Sequence, residues 1–512
     1  MKQQSLLFLS CSLTGALSLL FSGCESVGVD YQKPSTKVPD RWTMSVQPHL
    51  DNDGACLTEW WKGFKDPVLN ELIARAHAEN PDFKIAIQQI VKARAQRGVA
   101  KSQMLPVLSS NAGYMRTRQS ERSAFAPALN PIDVYSTGLE SGWELDVFGG
   151  LRRSVESADA NIEASIENYR DLLVSLFADV ALNYVDYCTF DERIHVANQN
   201  IAIQKKSLDL AQSRLDAGLV SKVDVTQART NLETSRALIP QLKGQLAAAR
   251  NRLASLTGGY PHSVSGLLSR ARSIPQPLHD FAVGCPADLL RARPDIRRAE
   301  RELAASVAAI GIAESELYPK FTLAGSLQLQ SLDISNLPDA AAAAYSFGPS
   351  VRWNLFSSGQ IKNLIRVEEA NAMQAYRAYE KAVLLAVEEV ETSMTGVATE
   401  RQRLAALRRA VASASESVDL VGDNYKEGLV DFQRVIDTER VKFQNEDEAV
   451  LSKGEVARNY IALYRALGGG AAVEEVTLPD LKPKPGGGWI KKRPAPYAAL
   501  TATAATESKL EN

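Results

Sequence analysis

Trp143-Glu-Leu-Asp-Val-Phe-Gly149-Gly-Leu-Arg152 returns, 210 positions on, as Trp353-Asn-Leu-Phe-Ser-Ser-Gly359-Gln-Ile-Lys362. The same offset carries Gly218-Leu-Val220 onto Gly428-Leu-Val430 and Val225 onto Val435. Looser echoes pair Asn80-Pro-Asp82 with Arg293-Pro-Asp295, and Leu105-Pro106 with Tyr318-Pro319. A repeat fixes the unit that folds, and a unit of roughly 200 residues is too long for a solenoid. The chain therefore reads as a tandem duplication with pseudo-twofold architecture. Each copy runs in one order: helix, strand, strand, very long helix, glycine break, helix.

The very long helices are expected over 150–217 and 360–427. In the first, apolar residues such as Val155, Ala158, Ile162, Tyr169, Leu173, Leu176 and Val180 alternate at steps of three and four, and Val383, Val387, Val390, Met394 and Val397 repeat the pattern in the second. A seam sustained at about 3.5 residues per turn winds helices around one another in a left-handed coil. At about 1.5 Å per residue each helix runs on the order of 100 Å. Gly218 and Gly428 stop them, because glycine takes the left-handed cap conformation. Second helices over 219–257 and 429–468 then make two helical hairpins with tight tips.

Strands are expected over 107–118, 134–148, 319–330 and 345–356. Tyr135, Thr137, Leu139, Trp143 and Leu145 alternate with Ser136, Gly138, Glu140, Gly142 and Glu144; Phe321, Leu323, Leu327 and Leu329 alternate with Thr322, Ser326, Gln328 and Gln330; and Phe347, Val351, Trp353 and Leu355 alternate with Ser346, Ser350 and Asn354. Long strands with one apolar and one polar face suit a membrane barrel with a wet lumen. Four strands cannot close a barrel, and an open edge in lipid leaves backbone groups unsatisfied. The barrel must be shared between chains, and physics alone permits two, three or four of them.

The N-terminus carries Lys2, an apolar run from Leu6 to Phe21, and Ser22-Gly23-Cys24. That pattern is a secretory signal over 1–23, and its Gly-Cys end resembles a lipobox, making Cys24 the lipid-modified first mature residue. Glu25 after it implies sorting to the outer membrane. No later stretch reaches about 18 apolar residues, so no transmembrane helix is expected. With 58 basic and 60 acidic residues the charge is nearly balanced, which argues against nucleic acid as a partner. Cys188 reads as a buried bystander, and the spacing leaves open whether Cys56 and Cys285 pair. No catalytic motif, metal-ligand spacing or cofactor motif is present, so no enzyme activity, metal or cofactor is expected. The Pro-, Gly- and Lys-rich stretch within 469–512 reads as an equatorial end followed by a solvated tail.

Together these residues resemble the outer membrane factor family, the TolC-like channel-tunnels, in its lipoprotein branch. The markers are Val27-Gly-Val-Asp-Tyr-Gln-Lys-Pro34, Trp60-Trp61-Lys-Gly-Phe64-Lys-Asp-Pro67, Asn80-Pro81-Asp82, Arg293-Pro294-Asp295-Ile296, Leu317-Tyr318-Pro319 and Trp353-Asn-Leu-Phe356. The resemblance implies an α+β, internally duplicated homotrimer, in which three times four strands make a 12-stranded β-barrel above a long periplasmic α-helical tunnel. It divides the chain into a lipid-anchored extension over 24–66, efflux repeats over 67–257 and 286–468, and a linker over 258–285 that joins the region after 468 in an equatorial belt.

The family narrows its tip with carboxylates after the second glycine break. Within Gly428-Leu-Val-Asp-Phe-Gln-Arg-Val-Ile-Asp437, the resemblance assigns Asp437 to a constricting ring, with Gln433 and Arg434 one turn earlier where relatives carry Leu or a second Asp. Arg434 weakens the cation preference such a ring would give. A polar latch between neighbouring hairpins maps onto Asp224 and Tyr425, while its usual Arg is replaced by Val430. The resemblance thus implies a gated passive exit duct in the outer membrane, working with a periplasmic adaptor and an inner-membrane pump, with outer-membrane lipid around the barrel. Small-molecule efflux is the favoured cargo reading. Type I protein secretion, metal efflux and a periplasmic structural coiled-coil lipoprotein are the alternatives.

Overall fold

A computed structural model of the chain describes residues 26–35, 39, 42–43, 58–120, 122, 131–271, 273–277 and 293–471, all within one compact unit. The signal segment, Cys24, Cys56, Cys285 and the basic tail lie outside the described residues. The first copy comprises α1 (Pro67–Glu79), α2 (Pro81–Ser102), β1 (Val107–Thr117), β2 (Ile132–Leu145), α3 (Gly150–Asp216) and α4 (Lys222–Leu256). The second comprises α5 (Pro294–Ser315), β3 (Lys320–Ser331), β4 (Ala343–Arg352), α6 (Gln360–Lys426) and α7 (Phe432–Ala466). Corresponding helices match in length: α2 and α5 have 22 residues, α3 and α6 have 67, and α4 and α7 have 35.

The strands form one antiparallel sheet in the order β1-β2-β3-β4, leaving β1 and β4 as edges. Its register places Leu139 opposite Ser110 and Leu327, and Trp143 opposite Leu323. Phe321 faces Val351 and Gly325 faces Phe347. Because directly opposed residues share a face, one surface collects Tyr135, Leu139, Trp143, Leu323, Leu327, Phe347 and Val351, and the other collects serines, glutamines and glycines. The strand expected over 134–148 ends at Leu145, because Asp146 turns to cap α3, accepting from the amides of Leu151 (3.0 Å) and Arg152 (2.9 Å). The strand expected to reach 356 ends at Arg352. Beyond it the Trp353 indole donates to the Leu317 carbonyl at 2.9 Å, as the Trp143 indole donates to Met104 at 2.9 Å in the first copy. The repeated tryptophans therefore tie each strand pair back to the end of the helix that feeds it.

α3 is the spine. Its first half packs on α2 and α5, and its second half on α4 and α7. Arg97 reaches Asp159 from α2 at 2.6 Å, and Arg193 holds Asp447 of α7 with two bonds at 2.8 and 2.9 Å. A bidentate guanidinium–carboxylate pair fixes axial register as well as adding energy. By length and composition alone, α3 has a window apolar enough to cross a bilayer, which departs from the expectation of no such segment. That apolar surface is used inside the chain: Leu173, Phe177, Val180, Tyr184 and Val185 are all fully buried.

The Trp60-Trp61 motif builds an aromatic hub on α3. Trp60 lies in a 3-10 turn ahead of α1, stacks on Tyr464 of α7 at 4.8 Å, and Trp61 meets Phe177 edge-on at 4.9 Å. Asp66 caps α1 and also accepts from the Tyr184 hydroxyl at 2.8 Å. Cys188 is buried and in no disulfide among the described residues, and burial pushes its thiol up to about 12, which leaves it inert. Near the sheet, the Val27–Pro34 motif straps across α3 and α5. The Val27 amide donates to Phe148 O at 3.0 Å, and the buried Arg153 guanidinium donates to Val27 O, Gly28 O and Asp30. Tyr31 and Lys33 both reach Glu300, each at 3.1 Å.

Candidate functional site at the paired helix tips

The two hairpins end in the same turn, residue for residue. Gly218 (φ 74°) and Gly428 (φ 80°) occupy the left-handed region. Their amides return to Leu215 O and Tyr425 O, and the next amides, Leu219 and Leu429, return to Arg214 O and Asn424 O. This double bond pattern satisfies carbonyls that the helix end would otherwise leave open. The following helices do not start at 219 and 429 as the sequence suggests. Gly-Leu-Val makes a turn first, and Ser221 and Asp431 then cap α4 and α7 by accepting from Val223 N and Arg434 N. The turn leaves Leu219 and Leu429 at the extreme tips, 67% and 68% exposed.

Behind the turns all four long helices share one apolar core. It contains Ala211 of α3, Val225 and Ala228 of α4, Tyr425 of α6, and Phe432 and Val435 of α7. Tyr425 is 3% exposed, with its ring 5.3 Å from that of Phe432. Asp224, half-buried in the first turn of α4, does not bond it, and the buried Tyr425 hydroxyl has no hydrogen-bond partner among the described residues. Burial pushes that hydroxyl above the usual tyrosine range, with Arg214 opposing the rise and the charge of Asp224 adding to it.

The cation that meets Tyr425 is Arg214, which the sequence reading missed. Its guanidinium lies 4.6 Å from the centre of the Tyr425 ring and donates to the Tyr425 carbonyl. An arginine is thus supplied from the end of α3, where the resemblance looked for one at the Val430 position. It also places positive charge at the C-terminal end of α6, where the helix dipole favours it. No local pattern could mark Arg214, since its partner lies in the other copy.

Asp437 sits on α7 with its side chain 41% exposed. It accepts from Gln433 at 3.2 Å and from Arg440 at 3.1 Å, so its charge is partly met within its own helix. Gln433 and Arg440 also line an open groove of about 730 Å³ between α7 and α4, together with Val223, Thr226 and Thr230. Arg434 contributes its amide to the Asp431 cap. Among the described residues no group of His, Cys, Asp or Glu is arranged to hold a metal ion.

One layer above the tip core, Glu439 of α7 is 4% exposed and accepts from the Ser207 hydroxyl of α3. Burial raises its carboxyl above the usual range, against the opposing effects of Ser207 and Lys442. A carboxyl raised on folding stabilises most below its unfolded value, and that contribution is lost as pH rises through the folded value. Glu439→Gln keeps an acceptor for Ser207 and removes the buried charge. Thermal unfolding should therefore show the variant more stable than wild type at pH 7.5, with the difference vanishing at pH 4. Equal stability at both values would show that Glu439 costs the fold nothing.

The outer membrane efflux protein family model matches residues 72–259 and 285–469, covering both copies. Nodulation protein T of Rhizobium leguminosarum bv. trifolii is 28% identical over 457 residues, spanning 89% of this chain and 97% of the relative. The toluene efflux pump outer membrane protein TtgF of Pseudomonas putida is 29% identical over 470 residues, spanning 90% and 96%. The solved outer-membrane channel OprN superposes with a TM-score of 0.81 at 34% identity, covering 87% of this chain and 99% of that one. The duplicated α+β protomer is accordingly that of the trimeric channel-tunnels, with its sheet in the outer membrane and its long helices forming a periplasmic tunnel. The doubled tips, the open-edged amphipathic sheet and the matched repeats have one common source: the chain belongs to the outer membrane efflux protein family, and it is an exit duct across the outer membrane.

Proposed function

We propose that this duct is the outer-membrane end of a tripartite export machine, opened at its periplasmic tips by an adaptor and driven by an inner-membrane pump. The observation that carries the reading is the pair of identical tips. They present exposed Leu219 and Leu429 beside the α4–α7 groove, while their polar and aromatic contacts face inward. An apolar point flanked by a groove suits a helical partner. Cargo is small molecules; the toluene efflux relative supports that class. Asp437 narrows the axis, with its charge moderated by Arg440, Gln433 and Arg434. Asp224 approaches the tip of a neighbouring chain, and Cys24 carries the lipid anchor.

The assembly has a direct test. Four strands per chain leave the β1 and β4 edges open, and lipid cannot satisfy them. The protein extracted from outer membranes should run as a heat-modifiable trimer, and cross-linking between β1 and β4 of different chains should trap it. The same preparation, read by mass spectrometry, should begin at an acylated Cys24. A monomer released by high salt, with no protected strands, would refute the shared barrel.

A further inference from the structure

Glu140 stands in the middle of β2, on the face opposite Leu139 and Trp143. That apolar face must meet lipid, so the Glu140 face lines the water-filled lumen. The register sets Ser109 on one side of Glu140 and Ser326 on the other, with Ser346 beyond. Along this face the charged strand residues are Glu140, Glu144, Lys320 and Arg352. The last three lie at the helix-proximal end, where Lys320 opposes Arg352 in register and pairs with Glu316. Further out Glu140 is the one charge among the described strand residues on this face, roughly 13 Å beyond Glu144 at about 3.3 Å per residue.

It is also held in place. Its Oε1 accepts from Asn111 Nδ2 at 2.7 Å on one neighbouring strand and from Gln328 Nε2 at 3.1 Å on the other. These amides orient the carboxylate without cancelling its charge, as Arg440 does in part for Asp437. Gly142 and Gly348, beside which an added Cβ would meet nothing, keep the surrounding wall low, and Glu140 is exposed on this face, while Gln328 lies over Gly138.

We infer that Glu140 and its two symmetry copies form a carboxylate ring inside the β-barrel, a specificity-determining filter that favours cationic cargo and is separate from the tips. The inference rests on the exit-duct reading. Low-dielectric barrel walls focus the field of three like charges. Salt shortens its reach to about 8 Å at physiological strength, so the effect depends on ionic strength.

The test uses the full-length protein in planar bilayers, with hexaamminecobalt(III) as the probe cation. Added from the barrel side at 0.1 M KCl, it should block wild type, and Glu140→Gln should weaken that block by about tenfold. Glu140→Asp should keep it, and Ser326→Lys, which sets a cation directly beside Glu140, should abolish it. Block from the tip side should be unchanged in Glu140→Gln and reduced in Asp437→Asn. Equal barrel-side block in wild type, Glu140→Gln and Ser326→Lys would overturn the filter while leaving the duct intact. Failure to form any conducting channel even when the tips are loosened by Arg214→Ala would instead overturn the duct reading, and the filter with it.

Discussion

Arg214→Ala is expected to open the duct. In planar bilayers its resting open probability should exceed that of wild type by about thirtyfold, the equivalent of about 2 kcal/mol. A half-exposed cation–π contact contributes about 1 kcal/mol, and a charged donor to a carbonyl adds about 1.5 before solvent screening. Both are lost together, because one guanidinium covers the Tyr425 ring and bonds its carbonyl. Arg214→Lys should recover only part of the closure, since an ammonium cannot stack and donate in one plane. Tyr425→Phe is the discriminating partner. Its hydroxyl has no bond among the described residues, so its removal should leave gating near wild type. If Tyr425→Phe opened the channel and Arg214→Ala did not, the hydroxyl would be bonding a neighbouring chain and the arginine would be a bystander.

Trp60→Ala should cost the protomer about 3–5 kcal/mol, the range for emptying a buried aromatic site. Trp60 is 1% exposed and joins the segment before α1 to the end of α7 through its stack on Tyr464. Its loss leaves a void beneath Trp61 and Phe64, both of which meet its edge. Limited proteolysis should then cut ahead of α1, and the trimer should dissociate at lower temperature. Trp60→Phe should behave much closer to wild type, because it keeps a stacked ring and the indole N–H has no partner to lose among the described residues. Equal protease resistance in the alanine variant would mean that the hub does not tie the two ends together.

Long helices, tip glycines and amphipathic strands were legible because each leaves a periodic or positional mark on neighbouring residues. Val383, Val387 and Val390 announce a seam on their own, and Gly218 announces a stop. Element ends were less legible, because they depend on which side chain turns back to cap: Ser221 and Asp431 delay their helices, and Asp146 shortens β2. Contacts across the duplication left no mark at all. Arg214 and Tyr425 stand 211 positions apart, and only the tip core shared by the two hairpins makes them a pair. Arg440 lies three residues from Asp437, and spacing alone does not show that it turns toward this carboxylate and not toward solvent.

The equal lengths of the paired helices act as a ruler that the two copies must share. Adding residues to α3 alone would drop its tip by about 1.5 Å for each one, out of the plane of the α6 tip. A partner reading both tips at once would then meet a step. Length can therefore change during evolution only by matched insertions in both copies, and in multiples near seven that keep the seam in phase. Chemistry carries no such tie. The duplication equates Arg214 with Asn424 and Leu215 with Tyr425, so the two copies have drifted into different halves of one contact while remaining the same length.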